Sequence, residues 1–441
     1  MSGNELIVQG ALEAGYNLYT GYPGSPLADY FNILHEKKSE IENLGARVAI
    51  GNSEANAAAM ASGAKQAGKD VCVAMKSMGL HVASDALSVG NFADPGKKSL
   101  CSKTGEEVSP GVVIVVGDDP WSQSTSTPAD SRFLFKHLHI PFLEPSTPQE
   151  LKDYMSVALD ISKSSSVYQG VILNTFMAEG GGRVVTGEVK SLSKELVELN
   201  PSEFDLSKNV MVPPNSLIAD SRMLKERFPK AIKKINQLKL DQIFGSDSSK
   251  VGVISSGVVF ESVKEVLEKD NLLGDISLYK IACSYPLSDD RLLPWLKSKE
   301  IVIVVEEKRA FLETEIRHLL HESKAEVKLW GKSFSDREGF PSHGGINVEI
   351  IREKFKEAFE LIHFSGEVCQ KPTRENVAGM PPRLPTFCPG CPHRETLSLL
   401  KELRGDLEKK GVKLISHGDV GCYSLSFLEP FKEMHNLSAM G

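Results

Sequence analysis

No stretch of this 441-residue sequence comes near the roughly 20 consecutive apolar residues that a bilayer-spanning helix needs. The opening Met1-Ser2-Gly3-Asn4-Glu5 carries no basic segment leading into an apolar one, so a secretory leader is not expected. Positive charge is not in excess: 51 Lys and Arg stand against 58 Asp and Glu, a net charge of -7. A nucleic-acid binder would show a basic patch or stripe instead. Cysteine is sparse, with seven residues whose odd count and scattered spacing make a poor disulfide framework. No tandem repeat or low-complexity tract is visible. These absences point to a cytoplasmic protein without nucleic-acid or membrane partners. At this length about three domains are expected.

With 41% hydrophobic and 25% charged residues, the chain has the composition of a folded protein. The pattern predicts helices over 6–14, 27–37 and 53–67, and strands over 17–21, 47–50, 71–75 and 112–116. The helix over 27–37 would be entered at Ser25, with Pro26 in its first turn. Continuously apolar strands separated by helices indicate a parallel α/β sheet. In such sheets ligands sit beyond the carboxyl ends of the strands. Residues 93–111 read as a surface loop or insertion, and 187–245 as a long connection with charged helices. A second α/β unit begins near Lys250, with strands over 251–255, 278–282 and 301–305 and helices over 260–268 and 312–320. A stiff Pro381-Pro382-Arg383-Leu384-Pro385 linker precedes a helix over 395–403 and a strand over 412–416. The resulting division is 1–190, 191–249, 250–370 and 371–441.

Several residues carry chemistry. The turn Gly21-Tyr22-Pro23-Gly24-Ser25-Pro26 follows a strand, where amides and the Ser25 hydroxyl can meet an anion; a plain turn with Ser25 as helix cap reads equally from the residues. Glu54 heads an alanine-rich helix. A first-turn acid ordinarily complements the helix dipole. A helix this small packs closely against a sheet or another subunit, and a buried carboxylate there can bond a ring nitrogen. Lys76 follows the strand over 71–75 and either holds an anionic substrate or snorkels to the surface. Arg132 either grips a carboxylate through both arms or forms a surface ion pair. Asp118-Asp119 and Glu306-Glu307 each follow a strand: the first pair most simply caps a helix, with metal binding or holding a loop as alternatives, and of the second pair either both face a partner's site or one is solvated while the other caps or forms a salt bridge. Cys388-x-x-Cys391, with Cys422 further on, can bind zinc or an iron–sulfur cluster, act as a redox pair, or remain free. Three thiols fall one short of a four-cysteine set, and His393 is a possible fourth.

In their order along the chain these segments resemble the thiamine-diphosphate-dependent 2-oxoacid:ferredoxin oxidoreductases, and most closely the alpha subunits that act on indolepyruvate. The carrying motifs are Thr20 to Pro26, Ser53-Glu54-Ala55-Asn56-Ala57 through Gly63-Ala64, Ala74-Met75-Lys76 with Gly79-Leu80, Val115 to Pro120, Leu143 to Ser146, Val304 to Glu307, Phe387 to Arg394, and Gly418-Asp419-Val420-Gly421-Cys422-Tyr423. The resemblance implies a pyrimidine-binding domain over 1–190, a transketolase-C-like domain over 250–370, and the beginning of a pyrophosphate-binding domain over 371–441. Glu54 falls where the family places the acid that bonds the cofactor's pyrimidine ring and promotes the tautomer that deprotonates the thiazolium carbon. Pro23 and Gly24 would line the cofactor, while Tyr22, Ser25, Lys76 and Arg132 would face substrate. Gly418, Asp419 and Gly421 would approach the diphosphate, and Cys388, Cys391 and Cys422 would help hold a [4Fe–4S] cluster.

The implied reaction is oxidative decarboxylation of an aryl 2-oxo acid to its acyl-CoA, with ferredoxin as acceptor. A smaller second subunit and a homo-oligomeric contact at the cofactor are also implied. Two alternatives remain: a non-oxidative decarboxylase or carboligase, and a non-catalytic partner subunit with a CxxC metal site. The sequence departs from the family in lacking a fourth cysteine ligand and the ferredoxin-like segment with CxxCxxCxxxCP runs, and in four further respects. It ends at Gly441, before the expected Mg²⁺ ligands; His81 stands where Asn is usual; residues 122–130 do not follow the Ser-Ser-Gln pattern; and residues 93–109 look inserted.

Overall fold

The computed structural model describes the chain apart from residues 101–106, 124, 126, 195–197, 367, 369–385 and 439–441. The 381–385 linker, Cys101, Cys369, Ser124 and Ser126 therefore lie outside the described residues. The chain divides into two compact units, Met1–Gln370 and Lys371–Gly441.

The larger unit contains two sheets. The first has seven strands, in the order Cys283–Tyr285, Phe142–Leu143, Gln169–Asn174, Val112–Asp118, Val71–Lys76, Leu18–Gly21 and Arg47–Val48. All pair in parallel except the edge strand Cys283–Tyr285. The expected parallel α/β architecture is borne out. Val71–Met75 and the whole of Val112–Asp118 are buried, because helices cover both faces and leave no solvent side for alternation.

The second sheet runs Lys328–Trp330, Ile301–Val305, Val251–Ser256, Ser277–Ile281 and Gln242–Gly245, with only the last strand antiparallel. The strand Cys283–Tyr285 begins two residues after Ser277–Ile281 yet joins the first sheet. The two α/β modules thus share backbone hydrogen bonds, a tie that amphipathic patterning could not reveal.

Helix ends follow local chemistry. Gly3–Ala14 begins with a capping box between Ser2 and Glu5 and ends on Gly15 in the left-handed region, φ 84°. Glu54–Gln66 is capped by the Ser53 hydroxyl, which accepts from the Asn56 amide. Ala57, Ala58 and Ala61 are fully buried, against the strands Leu18–Gly21 and Val71–Lys76 and the helix Ser77–Phe92. That long helix is absent from the sequence expectation, since its Gly, Ser and His interruptions blur the apolar period.

The stretch read as a long connection is folded onto the first module. Phe228–Leu238 packs on Pro148–Ser165. Arg227 is buried and donates to the carbonyls of Asn91, Phe92 and Ser166.

In the smaller unit the expected helix runs over Pro392–Glu408. The strand expected over 412–416 does not form. Val412 and Ile415 are exposed, and the short pairing in this region joins His417–Gly418 to Asn436–Leu437 instead.

Candidate active site

At the carboxyl end of the first sheet, Gly21 turns the chain away from its strand. A β-carbon on Gly21 would lie 2.0 Å from the Ala74 carbonyl oxygen, and its φ of 147° also favours glycine. The turn beyond leaves Tyr22 and Pro23 exposed and Gly24 and Ser25 half-buried. Ser25 does not cap the next helix. Ala28–Glu36 starts after Leu27, with no side-chain cap. The expectation of a helix entered at Ser25 is therefore corrected: Pro26 and Leu27 are buried, and they hold the chain in the turn until Ala28. The Ser25 hydroxyl has no capping role.

Two neighbouring elements bring charged groups to this turn. Gly51 donates to the Gly21 carbonyl at 3.0 Å and leads into the helix Glu54–Gln66. Glu54 is 6% exposed. Lys76 ends the central strand, its chain lying against Gly24, where a β-carbon would sit 2.6 Å from the Lys76 Cδ. Burial holds the Lys76 ammonium below the usual lysine range, opposed by the attraction of Glu54. Gly79 completes the cluster. A β-carbon there would fall 2.5 Å from both Cγ and Oε1 of Glu54, so the absence of a side chain at 79 makes room for the carboxylate. The structure thus gathers Tyr22, Pro23, Gly24, Ser25, Glu54 and Lys76 around one end of the sheet.

Arg132 lies in a separate set of contacts. It is 3% exposed. Its Nε and Nη2 grip Asp130 at 2.8 and 2.7 Å, Nη1 donates to Glu306 at 2.6 Å, and Nη2 also reaches the carbonyls of Glu307 and Arg309. Lys308 pairs with Asp118 and lies 3.5 Å from Asp130. Glu306 accepts from the amides of Phe311, Leu312 and Glu313, capping the helix Leu312–Glu322. A cap or a salt bridge is the sequence expectation for one acid of this pair, and Glu306 makes both. Asp118 accepts from the Ser131 amide and hydroxyl, and Asp119 from Thr125. Asp130 is held well below the usual carboxylate range by Arg132 and Lys308, against the opposing effect of burial. This buried network joins the two α/β modules. Asp130, Lys308 and Glu144, which accepts from the Ser256 and Ser284 hydroxyls, have no role assigned from sequence; for Glu144 the available signal is an acid directly after a strand.

In the smaller unit, Cys388 and Cys422 are exposed, Cys391 is half-buried, and all three are free thiols. The Cys391 amide closes a turn onto the Cys388 carbonyl at 3.1 Å. The His393 ring lies edge-on to Tyr423, with centroids 5.7 Å apart, so the two cysteine-bearing turns are neighbours. Yet among the described residues no three His, Cys, Asp or Glu side chains converge as a metal site. Gly418 lies in the short pairing with Leu437, Gly421 precedes the turn Cys422–Phe427, and Asp419 accepts from the Tyr423 hydroxyl.

Comparison with known proteins bears on this geometry. Residues 241–371 match the family described as "Indolepyruvate oxidoreductase domain". The IorA subunit of indolepyruvate oxidoreductase from Pyrococcus abyssi is 30% identical, over all of this chain and 64% of its own length. The chain resembles indolepyruvate oxidoreductase alpha subunits from end to end. The IorA subunits of Thermococcus kodakarensis and Methanothermobacter marburgensis are each 28% identical over the whole chain, which covers 64% and 66% of them. The chain thus spans about two thirds of the length of these curated relatives.

Among solved structures, the 2-oxoglutarate:ferredoxin oxidoreductase of Magnetococcus marinus superposes with a TM-score of 0.59 at 15% identity, over 81% of this chain and 64% of that one. A split-gene transketolase superposes at 0.50 and 12% identity, over 82% of this chain and 99% of the other. At these identities the two structures establish the fold. The family match over 241–371 covers the second sheet and its helices, and the IorA alignments extend the likeness to the Glu54 cluster.

Proposed function

We propose that this chain is the thiamine-diphosphate-binding subunit of a 2-oxoacid:ferredoxin oxidoreductase, acting on an aryl 2-oxo acid such as indolepyruvate together with CoA, ferredoxin and a smaller partner subunit. One observation carries the reading: Glu54 is a buried carboxylate at a helix start, given room by Gly79 and set near Lys76, in a chain similar throughout to IorA subunits. Bound thiamine diphosphate would supply the electron sink that decarboxylation of a 2-oxo acid requires.

The protein's own contribution is positional and electrostatic. Glu54 holds a proton between its carboxylate and a ring nitrogen, and burial strengthens that hydrogen bond by excluding water. Lys76 attracts the carboxylate of the incoming acid, while the Ser25 hydroxyl and the exposed Tyr22 line the approach. Pro23 and Gly24 would line the cofactor side of the turn. The family likeness also implies Mg²⁺ and an iron–sulfur cluster; Cys388, Cys391 and Cys422 would help hold the cluster, and iron and sulfide analysis of anaerobically purified protein tests it.

The deciding experiment supplies the chain with its partner subunit, indolepyruvate, CoA and oxidised ferredoxin, with and without thiamine diphosphate. Glu54→Gln, which keeps the side-chain shape, should lose at least 100-fold in turnover while its urea midpoint stays within the range of surface substitutions. Turnover that ignores thiamine diphosphate, or an unimpaired Glu54→Gln enzyme, would sink the proposal.

A further inference from the structure

At the opposite end of the same helix lies a groove of about 580 Å³, within the size range of small-molecule sites. Its apolar floor is formed by Leu18, Ala49, Met60 and Ala64. Leu18 opens its strand, and Ala64 lies in the last turn of Glu54–Gln66. Along the helix from Glu54, Met60 lies about 9 Å and Ala64 about 15 Å away. It opens beside Arg47–Val48, the outermost strand of the sheet.

The rim is strongly one-signed. Arg47, Lys69 and Lys194 line it, and among the described residues no Asp or Glu does. None of these three cations forms an ion pair among the described residues, although the chain as a whole is acidic, with a net charge of -7. The helix end offers no competing acceptor, because the carbonyls of Gly63, Ala64 and Lys65 are taken by the amides of Ala67, Lys69 and Gly68 at 3.1, 2.9 and 3.0 Å. Apolar floor and cationic rim together select a ligand with an apolar body and an anionic head.

We propose that this groove binds a small amphipathic anion, an aromatic or aliphatic carboxylate or phosphate ester, whose apolar part lies on Met60 and Ala64 and whose head sits among Arg47, Lys69 and Lys194. This site is separate from the Glu54 cluster and does not rest on the thiamine reading.

Calorimetric titration of the whole chain with 1-naphthylacetate, 1-naphthyl phosphate and the neutral 1-naphthalenemethanol tests it. Both anions should bind at one site at least tenfold more tightly than the alcohol, and affinity should fall as salt rises. The ratio of the two anions distinguishes a carboxylate site from a phosphate site. The double variant Lys69→Gln/Lys194→Gln, whose changes lie on the rim, should weaken both anions at least tenfold, and Ala64→Trp should block them. Glu54→Gln should leave both affinities unchanged, which separates this outcome from that of the thiamine experiment. Equal binding of the alcohol, indifference to the rim variant, or no binding up to millimolar concentration overturns the proposal.

Discussion

Replacing Arg132 by Met tests the joint between the two α/β modules. The substitution keeps most of the side-chain volume and removes the guanidinium from between Asp130 and Glu306, which are 8% and 2% exposed. Removing one member of a buried charge network typically costs about 3–5 kcal/mol, because the partner charges are left uncompensated. The structure decides where in that range the loss should fall. Glu306 keeps three amide donors from the helix it caps, and Asp130 keeps Lys308 at 3.5 Å. Neither acid is left bare, so the expected loss is about 3 kcal/mol.

The pH dependence adds a sign. In the native protein Asp130 titrates below its unfolded value, so its contribution is present above about pH 4 and is lost as pH falls through the folded pKa. In Arg132→Met the same acid faces burial with only Lys308 beside it, and its pKa rises. The folded variant then binds more protons than the unfolded chain, so the stability deficit should shrink as pH falls from 7 towards 5. Urea unfolding monitored by circular dichroism at pH 5, 6 and 7 measures both quantities. Adding Glu306→Gln to Arg132→Met should recover part of the loss. A single variant within 0.5 kcal/mol of the parent, the range of surface substitutions, would refute the assignment of Arg132 to a buried joint and return it to the substrate side.

Gly79→Ala should lower stability by no more than about 2 kcal/mol, because about 1 kcal/mol of gained helix propensity offsets part of about 1–3 kcal/mol of overpacking against Glu54. Its turnover should nonetheless fall about 100-fold through displacement of the carboxylate, and steady-state kinetics beside a urea titration separates the two effects. Lys65→Met removes a buried ammonium that donates to Gly90 at 2.9 Å and Ala93 at 2.6 Å, and should lower stability by about 1–3 kcal/mol near neutral pH. Burial holds Lys65 well below the usual lysine range. The native protein therefore carries that penalty fully below the folded pKa and sheds it as pH rises towards the unfolded value near 10, an upward trend that the Met variant should lose in thermal scans.

The sequence alone determined the architecture and the local chemistry of the Glu54 cluster. Uninterrupted apolar strands such as Ile301–Val305 need cover on both faces, which forces a parallel sheet between helices. Ser53 before an alanine run marks a helix start wherever the chain is placed. The turn Gly21 to Pro26, Glu54 and Lys76 were legible because each sits at a strand or helix end, where an α/β fold collects ligands.

Tertiary structure decided what depends on partners distant in sequence. Arg132 reads identically whether it faces solvent or Glu306, which is 174 residues away; only packing shows that its donors are spent inside the protein. The same holds for the strand Cys283–Tyr285, whose sequence does not reveal which sheet it joins, and for 412–416, whose apolar residues found no neighbour to pair with. Gly79 is the sharpest case. What it contributes is an absent β-carbon, and that absence acquires meaning only when a carboxylate from another helix comes to lie within 2.5 Å of the place where the atom would be.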